Sequence, residues 1–129
     1  MSIKENEIAR EIVDAAFHIH SKMGPGLFES VYEVILAYEL GKRGFTVARQ
    51  VSVPIKYETI TFNEGFRADI IVEDAVIVEI KSIEKLQAVH KKQLLTYLKL
   101  MDKKLGLLIN FGEALIKNGI VRLVNGLTE

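Results

Sequence analysis

The chain reads as an α/β domain in which two helices precede a strand meander and a third helix separates that meander from further strands. Three observations predict this. Apolar residues recur at three- and four-residue intervals over the first 43 positions, and from Phe45 the period drops to two. Two runs, Ala75-Val76-Ile77-Val78 and Leu105–Asn110, are apolar almost without interruption, as strands buried on both faces are. A chain of 129 residues is one domain of common size, and residues 1–129 are expected to share a single core.

Taken in order, Ile8, Ile12, Ala15, Ala16, Ile19 and Met23 predict an amphipathic helix over about 5–22, with Glu5 and Glu7 near its positive end. Gly24-Pro25-Gly26 stops it. Val31, Ile35, Leu36 and Leu40 stripe a second helix from about Leu27 to Arg43, with Gly44 as its C-terminal cap. Val47, Arg49, Val51 and Val53 then alternate with Thr46, Ala48, Gln50 and Ser52, and Pro54 places that strand at a sheet edge. A short strand near Thr59–Phe62, a strand Phe66–Val72 and a strand Ala75–Lys81 complete the meander. Leu94, Leu95, Leu98 and Met101 face inward from a third helix over about Val89–Asp102, and Leu105–Asn110 follows as a buried strand. Asn118-Gly119 favours a type I′ turn, so Leu115–Lys117 and Ile120–Leu123 are expected to form a C-terminal hairpin.

Composition excludes several classes of function. With no cysteine there are no disulfides, thiolate metal sites or cysteine nucleophiles, and a reducing, cytoplasmic setting is expected. No signal peptide is expected ahead of the first helix, and no apolar run reaches membrane length. The net charge of zero argues against an obligate, tight duplex binder, yet the charge is unevenly spread. Residues 1–80 carry 8 Lys/Arg against 13 Asp/Glu, giving −5, whereas 81–104 carry 7 Lys against 2 acids, giving +5.

The most informative pattern is Arg67-Ala68-Asp69 followed by Glu79-Ile80-Lys81 on consecutive strands. Glu79 and Lys81 project from one side of their strand and Ile80 from the other. A carboxylate and an ammonium side by side at the end of a core strand call for a metal, a partner charge or a substrate. Hairpin register decides whether Asp69 joins them. A two-residue turn at Glu73-Asp74 sends Asp69 and Glu79 to opposite faces. A three-residue loop, Glu73-Asp74-Ala75, pairs Val72 with Val76, Asp69 with Glu79 and Arg67 with Lys81. The second register is preferred, because it leaves Ala68, Ile70, Val72, Val76, Val78 and Ile80 as one wholly apolar face.

These residues resemble the PD-(D/E)XK nuclease superfamily, and more closely the GxxExxY proteins. The naming motif reads Gly26-Leu27-Phe28-Glu29-Ser30-Val31-Tyr32, followed by Arg67-Ala68-Asp69, Glu79-Ile80-Lys81 and His90-x-x-Gln93-x-x-x-Tyr97. Ala68 departs from the superfamily pattern, in which a proline often precedes the aspartate; it supplies no ligand. The resemblance implies a restriction-endonuclease-like core with a mixed central sheet, and a divalent-metal-dependent nuclease acting on DNA, or on RNA. It implies that Asp69, Glu79 and the Ile80 carbonyl hold Mg²⁺ or Mn²⁺, with Glu29 completing the site. Lys81 would orient or help deprotonate the attacking water and neutralise developing charge. Gln93 is expected at the reacting centre, with Tyr97, Arg67, Tyr32 and His90 positioning substrate.

Each assignment has a plainer counterpart. Glu29 falls in the first turn of a helix, where an acid is favoured anyway. Tyr32 fits equally as a core tyrosine with a satisfied hydroxyl. His90, Gln93 and Tyr97 form a stripe beside Leu94 and Leu98, which a core boundary also explains. Lys85, Lys91, Lys92, Lys99, Lys103 and Lys104 touch phosphates in one reading and form a solvated face in the other. His18 and His20 lack metal-ligand spacing. Two alternatives to an enzyme stay open: a nucleic-acid or protein interaction module that keeps the fold, and a buried Glu79–Lys81 ion pair with only a structural role. A small neutral domain has little surface for a long substrate, so a homodimer or partner subunit would supply the rest.

Overall fold

The computed structural model describes residues 2–127. Helices α1 (Ser2–Met23) and α2 (Glu29–Lys42) precede strands β1 (Val47–Tyr57), β2 (Ile60–Val72) and β3 (Val76–Lys81). Helix α3 (Ala88–Met101) leads to β4 (Leu105–Asn110), a 3₁₀ turn at Ile116–Gly119 and β5 (Ile120–Val124). The five strands form one sheet in the order β1-β2-β3-β4-β5, with β3 and β4 parallel and every other pair antiparallel. The α3 crossover is what allows that parallel pair. Among the described residues no helix is long and apolar enough to cross a membrane.

The helices end as their chemistry requires. At the end of α2, Phe45 N–H bonds to Leu40 O and Gly44 N–H to Gly41 O, with Gly44 at φ 93°. This is a Schellman cap. Helix α3 ends in the same way with Asp102 at φ 55° in the position usually taken by glycine.

Two apolar layers sandwich the sheet. Ile12, Ala16, Leu36 and Leu40 of α1 and α2 pack on Ile70, Val72, Val76, Val78, Ile80, Leu107 and Ile109, while Leu94 and Leu98 of α3 pack on Ile71, Ile77 and Leu108. Leu94 lies so close to Gly106 that an added Cβ would sit 3.2 Å from it. The Glu73-Asp74-Ala75 loop pairs Val72 with Val76 and Ile71 with Ile77, as the sorting of side chains demands.

Four expectations are corrected. The strands expected near Thr59–Phe62 and over Phe66–Val72 are one strand, β2, because the register shift opposite Pro54 is absorbed as a bulge between Val53 and Ile55. At that bulge Gly65 has no Cβ, and the Ile55 side chain occupies the space. Residues 115–117 are not a strand: Asn118-Gly119 lies in the 3₁₀ turn, and the C-terminal antiparallel pair is β4 with β5. Ala68 packs on the α3 side with Phe66 and Val51, not with Ile70. Gln50 adopts φ 51°, and the Gln50·Asp69 pair drops out of the ladder between Arg49·Ile70 and Val51·Ala68, which flips the alternation of β2 at Asp69. Finally, the β2–β3 ladder stops at Ile70·Val78, so Arg67 does not lie opposite Lys81; it pairs with Ser52 of β1.

Candidate active site

Where the β2–β3 ladder stops, two carboxylates take over. Asp69 N–H donates to Glu79 Oε2 at 2.9 Å, and Ile80 N–H donates to Asp69 Oδ2 at 2.9 Å. Each acid thus satisfies a backbone donor that would otherwise be left open by the parting strands. The sequence brings this about through polar residues at the ends of two apolar runs, Ile70–Val72 and Val76–Val78. Strand geometry turns the Ile80 carbonyl to the same side as its N–H, toward the two acids.

The electrostatics of this pair are unfavourable by construction. Burial, and then the neighbouring Asp69 charge, push the Glu79 carboxyl up to about 8. Burial likewise raises Asp69; the Ile80 N–H opposes the shift, Glu33 reinforces it, and Lys81 offsets part of it. Lys81 is half-buried beside them and feels both acids. Tyr97 of α3 stacks on Phe66 of β2 with centroids 4.0 Å apart and rings 8° from parallel. Burial, and then the charges of Glu79 and Asp69, raise its hydroxyl. Gln93, one turn earlier on the same stripe, is exposed.

Other residues singled out by sequence stand further off. Glu29 is exposed, with its carboxylate accepting the Ser82 N–H at 3.2 Å, one residue beyond Lys81. Tyr32 is fully buried: it stacks on Phe111 at 4.3 Å, donates its hydroxyl proton to Gly24 O and accepts the Leu27 N–H. It anchors the Gly24–Phe28 loop from within the core and presents nothing to a substrate. His90 caps α3, its Nδ1 accepting the Gln87 N–H at 2.9 Å. Arg67 is ion-paired with Glu64 on the exposed part of β2. Of the α3-side lysines, Lys103 ties down the β2–β3 loop through Asp74, while Lys85, Lys91, Lys92, Lys99 and Lys104 are exposed.

Four residues that sequence did not assign to the site matter here. Glu33 of α2 is buried and bonded to Arg49 and Gln50 of β1, and Gln50 in turn lies 3.4 Å from Asp69 Oδ1. Asn110 is fully buried at the end of β4; its side chain accepts the Ile83 and Gly112 N–H groups and donates to Ile83 O, so it clamps the segment that follows Lys81. Asn110 ends an apolar run just as Glu79 does, and the same reasoning finds both. Glu33 carries no comparable signal, because one more acid on an amphipathic helix reads as surface.

A divalent cation fits the donor set. Asp69, Glu79 and the Ile80 carbonyl are hard oxygen donors, and two carboxylates both raised by burial, one of them further by its neighbour's charge, are a pair that a cation would relieve. Among the described residues no three acidic or histidine side chains are grouped so as to hold a metal ion, so the donors here are two carboxylates and a carbonyl. An open arrangement of one or two carboxylates, with water and phosphate supplying the rest, is how Mg²⁺ is ordinarily held.

The family comparison agrees with this geometry. Residues 6–123 match the model of the PD-(D/E)XK nuclease superfamily. Neither the curated proteins nor the solved structures give a match. A match over nearly the whole chain, with an acid on β2, a second acid on β3 and a lysine two residues after it, means that the chain belongs to the PD-(D/E)XK nuclease superfamily.

Proposed function

We propose that this protein is a divalent-metal-dependent nuclease that hydrolyses phosphodiester bonds in DNA, with RNA as the alternative substrate. The observation that carries the reading is the reciprocal lock of Asp69 and Glu79 at the end of the β2–β3 ladder, with Lys81 beside it. Such a cluster is costly to fold and is explained by a bound cation and a phosphate. The Gly26-x-x-Glu29-x-x-Tyr32 spacing and the His90, Gln93 and Tyr97 stripe support a closer kinship with the GxxExxY proteins.

Asp69, Glu79 and the Ile80 carbonyl would hold Mg²⁺ or Mn²⁺, while Glu29, bonded to the Ser82 N–H, stands outside that set and would reach the cation only through water. When bound, the cation lowers the pKa of a coordinated water and offsets charge on the phosphoryl oxygens. The remaining work falls to the protein. Lys81 places its ammonium where negative charge builds on the scissile phosphate and orients the attacking water. Tyr97, pinned by its stack on Phe66, offers a hydroxyl at the edge of the acid pair, and Gln93 lies beside it for a contact to substrate. The exposed lysines of α3 supply positive charge for the nucleic-acid backbone.

The test is cleavage of single-stranded, duplex and branched DNA, and of RNA, with Mg²⁺ or Mn²⁺. Lys81→Met should retain Mn²⁺ binding by calorimetry and lose cleavage by at least about 100-fold, the scale of one transition-state charge contact. Asp69→Ala should lose both. A wild type that binds Mn²⁺ and cuts none of the four substrates would instead favour a non-catalytic nucleic-acid-binding module.

A further inference from the structure

The contacts of Glu33 point to a role that the metal-and-lysine reading leaves unassigned. Its carboxylate is 7% exposed and both oxygens are occupied. The Arg49 guanidinium holds Oε2 at 3.0 Å, and the Gln50 amide donates to Oε1 at 2.6 Å. Glu33 is therefore an ion-paired anchor with both oxygens engaged within the protein.

The two partners are consecutive residues of one strand, and consecutive strand side chains normally point to opposite faces. They reach the same carboxylate because Gln50 is in the left-handed region, at φ 51°, a conformation that is strained for a non-glycine residue. This kink is the position at which the β1–β2 ladder skips Gln50·Asp69. It also swings the Gln50 amide to within 3.4 Å of Asp69 Oδ1, while Ile80 N–H holds Oδ2. A strained residue, a break in pairing and a buried anchor thus coincide at one point, and all bear on the orientation of a single carboxylate.

We propose that Glu33, Arg49 and Gln50 form a positioning bracket: α2 grips the kinked β1 through Glu33, and Gln50 sets the rotation of the Asp69 carboxylate. The benefit of a fixed Asp69 rests on the metal-dependent reading above, but the bracket itself is testable without metal. Gln50→Gly is the informative variant, since glycine accepts φ 51° and keeps the kink while removing the amide.

In metal-free protein, amide hydrogen exchange followed by NMR should show the Ile80 N–H exchanging about tenfold faster in Gln50→Gly, the worth of roughly one net hydrogen bond. The Val78 N–H, in regular pairing with β2, should be unchanged. Glu33→Gln, which keeps an acceptor for the Gln50 amide, should exchange like wild type at Ile80, and Glu33→Ala should follow Gln50→Gly. Mn²⁺ affinity of Gln50→Gly should fall by about tenfold, as when an outer partner of a ligand is lost. Unchanged exchange at Ile80 overturns the bracket. So does a uniform acceleration at Ile77, Val78 and Ile80, which would mean that Gln50 merely stabilises the sheet. Asp69→Ala binding Mn²⁺ as tightly as wild type would overturn the metal reading alone, with the exchange data still deciding on the bracket.

Discussion

Replacing Glu79 by glutamine should stabilise the metal-free protein while abolishing its function. The Glu79 carboxyl is carried from an ordinary 4.5 to about 8 by burial and by Asp69. A folded-state pKa above the unfolded one means that the native state holds the proton more tightly, so stability falls as pH rises through the interval from about 4.5 to about 8 and levels off above it. At about 1.4 kcal/mol per pH unit, the raised Glu79 lowers stability relative to acid pH by at most about 5 kcal/mol at pH 9, and by about 3 kcal/mol at pH 7, where the native carboxyl still keeps most of its proton. The neutral amide that Glu79→Gln introduces cannot ionise, and its oxygen still accepts the Asp69 N–H. The variant should therefore match wild type near pH 4 and exceed it progressively toward pH 9, with a residual slope in the same direction from Asp69, whose carboxyl is also raised. Urea unfolding in EDTA from pH 4.5 to 9, at constant m, measures this directly. Mg²⁺ or Mn²⁺ should restore stability to wild type at high pH and not to the variant. A wild type whose stability rises across this window, or a variant no more stable at pH 9, would refute the account of the buried pair.

Two further predictions concern the scaffold around the site. Tyr32→Phe removes the hydroxyl that ties Gly24 O and Leu27 N–H together, and should cost about 1–2 kcal/mol in chemical denaturation while leaving the stack on Phe111 in place. Asn110→Leu strands the Ile83 and Gly112 N–H groups and Ile83 O, and should cost about 3 kcal/mol or more, with amide exchange accelerated at Ile83 and Gly112.

The fold was legible where side chains obey one period at a time. The stripe from Ile8 to Ile19 follows from burying one face, with Met23 beyond it exposed, and the apolar runs Val76–Val78 and Leu105–Ile109 from burying both; the three-residue loop before Val76 follows from the same sorting. The acids and Lys81 stood out because they interrupt such a run. What could not be read was local backbone choice. Nothing in Arg49-Gln50-Val51 announces a left-handed residue, and a glutamine there is an unusual occupant of that region, so the flip that carries Ala68 to the α3 side was hidden. The Asn118-Gly119 pair failed for a related reason. Its turn preference is real, but β5 has the longer and more buried partner in β4, so tertiary pairing overrode the local signal.

That hidden kink bears on why the site lies where it does. A sheet that continued pairing past Ile70·Val78 would direct the backbone of Ile80 into β2 and leave no oxygen facing outward. Ending the ladder there releases the Ile80 N–H and carbonyl together. The N–H is recovered by Asp69 and the Asp69 N–H by Glu79, so the donors are satisfied, and the oxygens of two carboxylates and one carbonyl remain grouped on one side. The local imbalance of donors and acceptors is what a hard cation completes, and its charge would oppose the burial that raises both acids and the push of Asp69 on Glu79. On this argument the destabilisation of the empty pair and its capacity to bind metal are one property, and Glu79→Gln should remove both together.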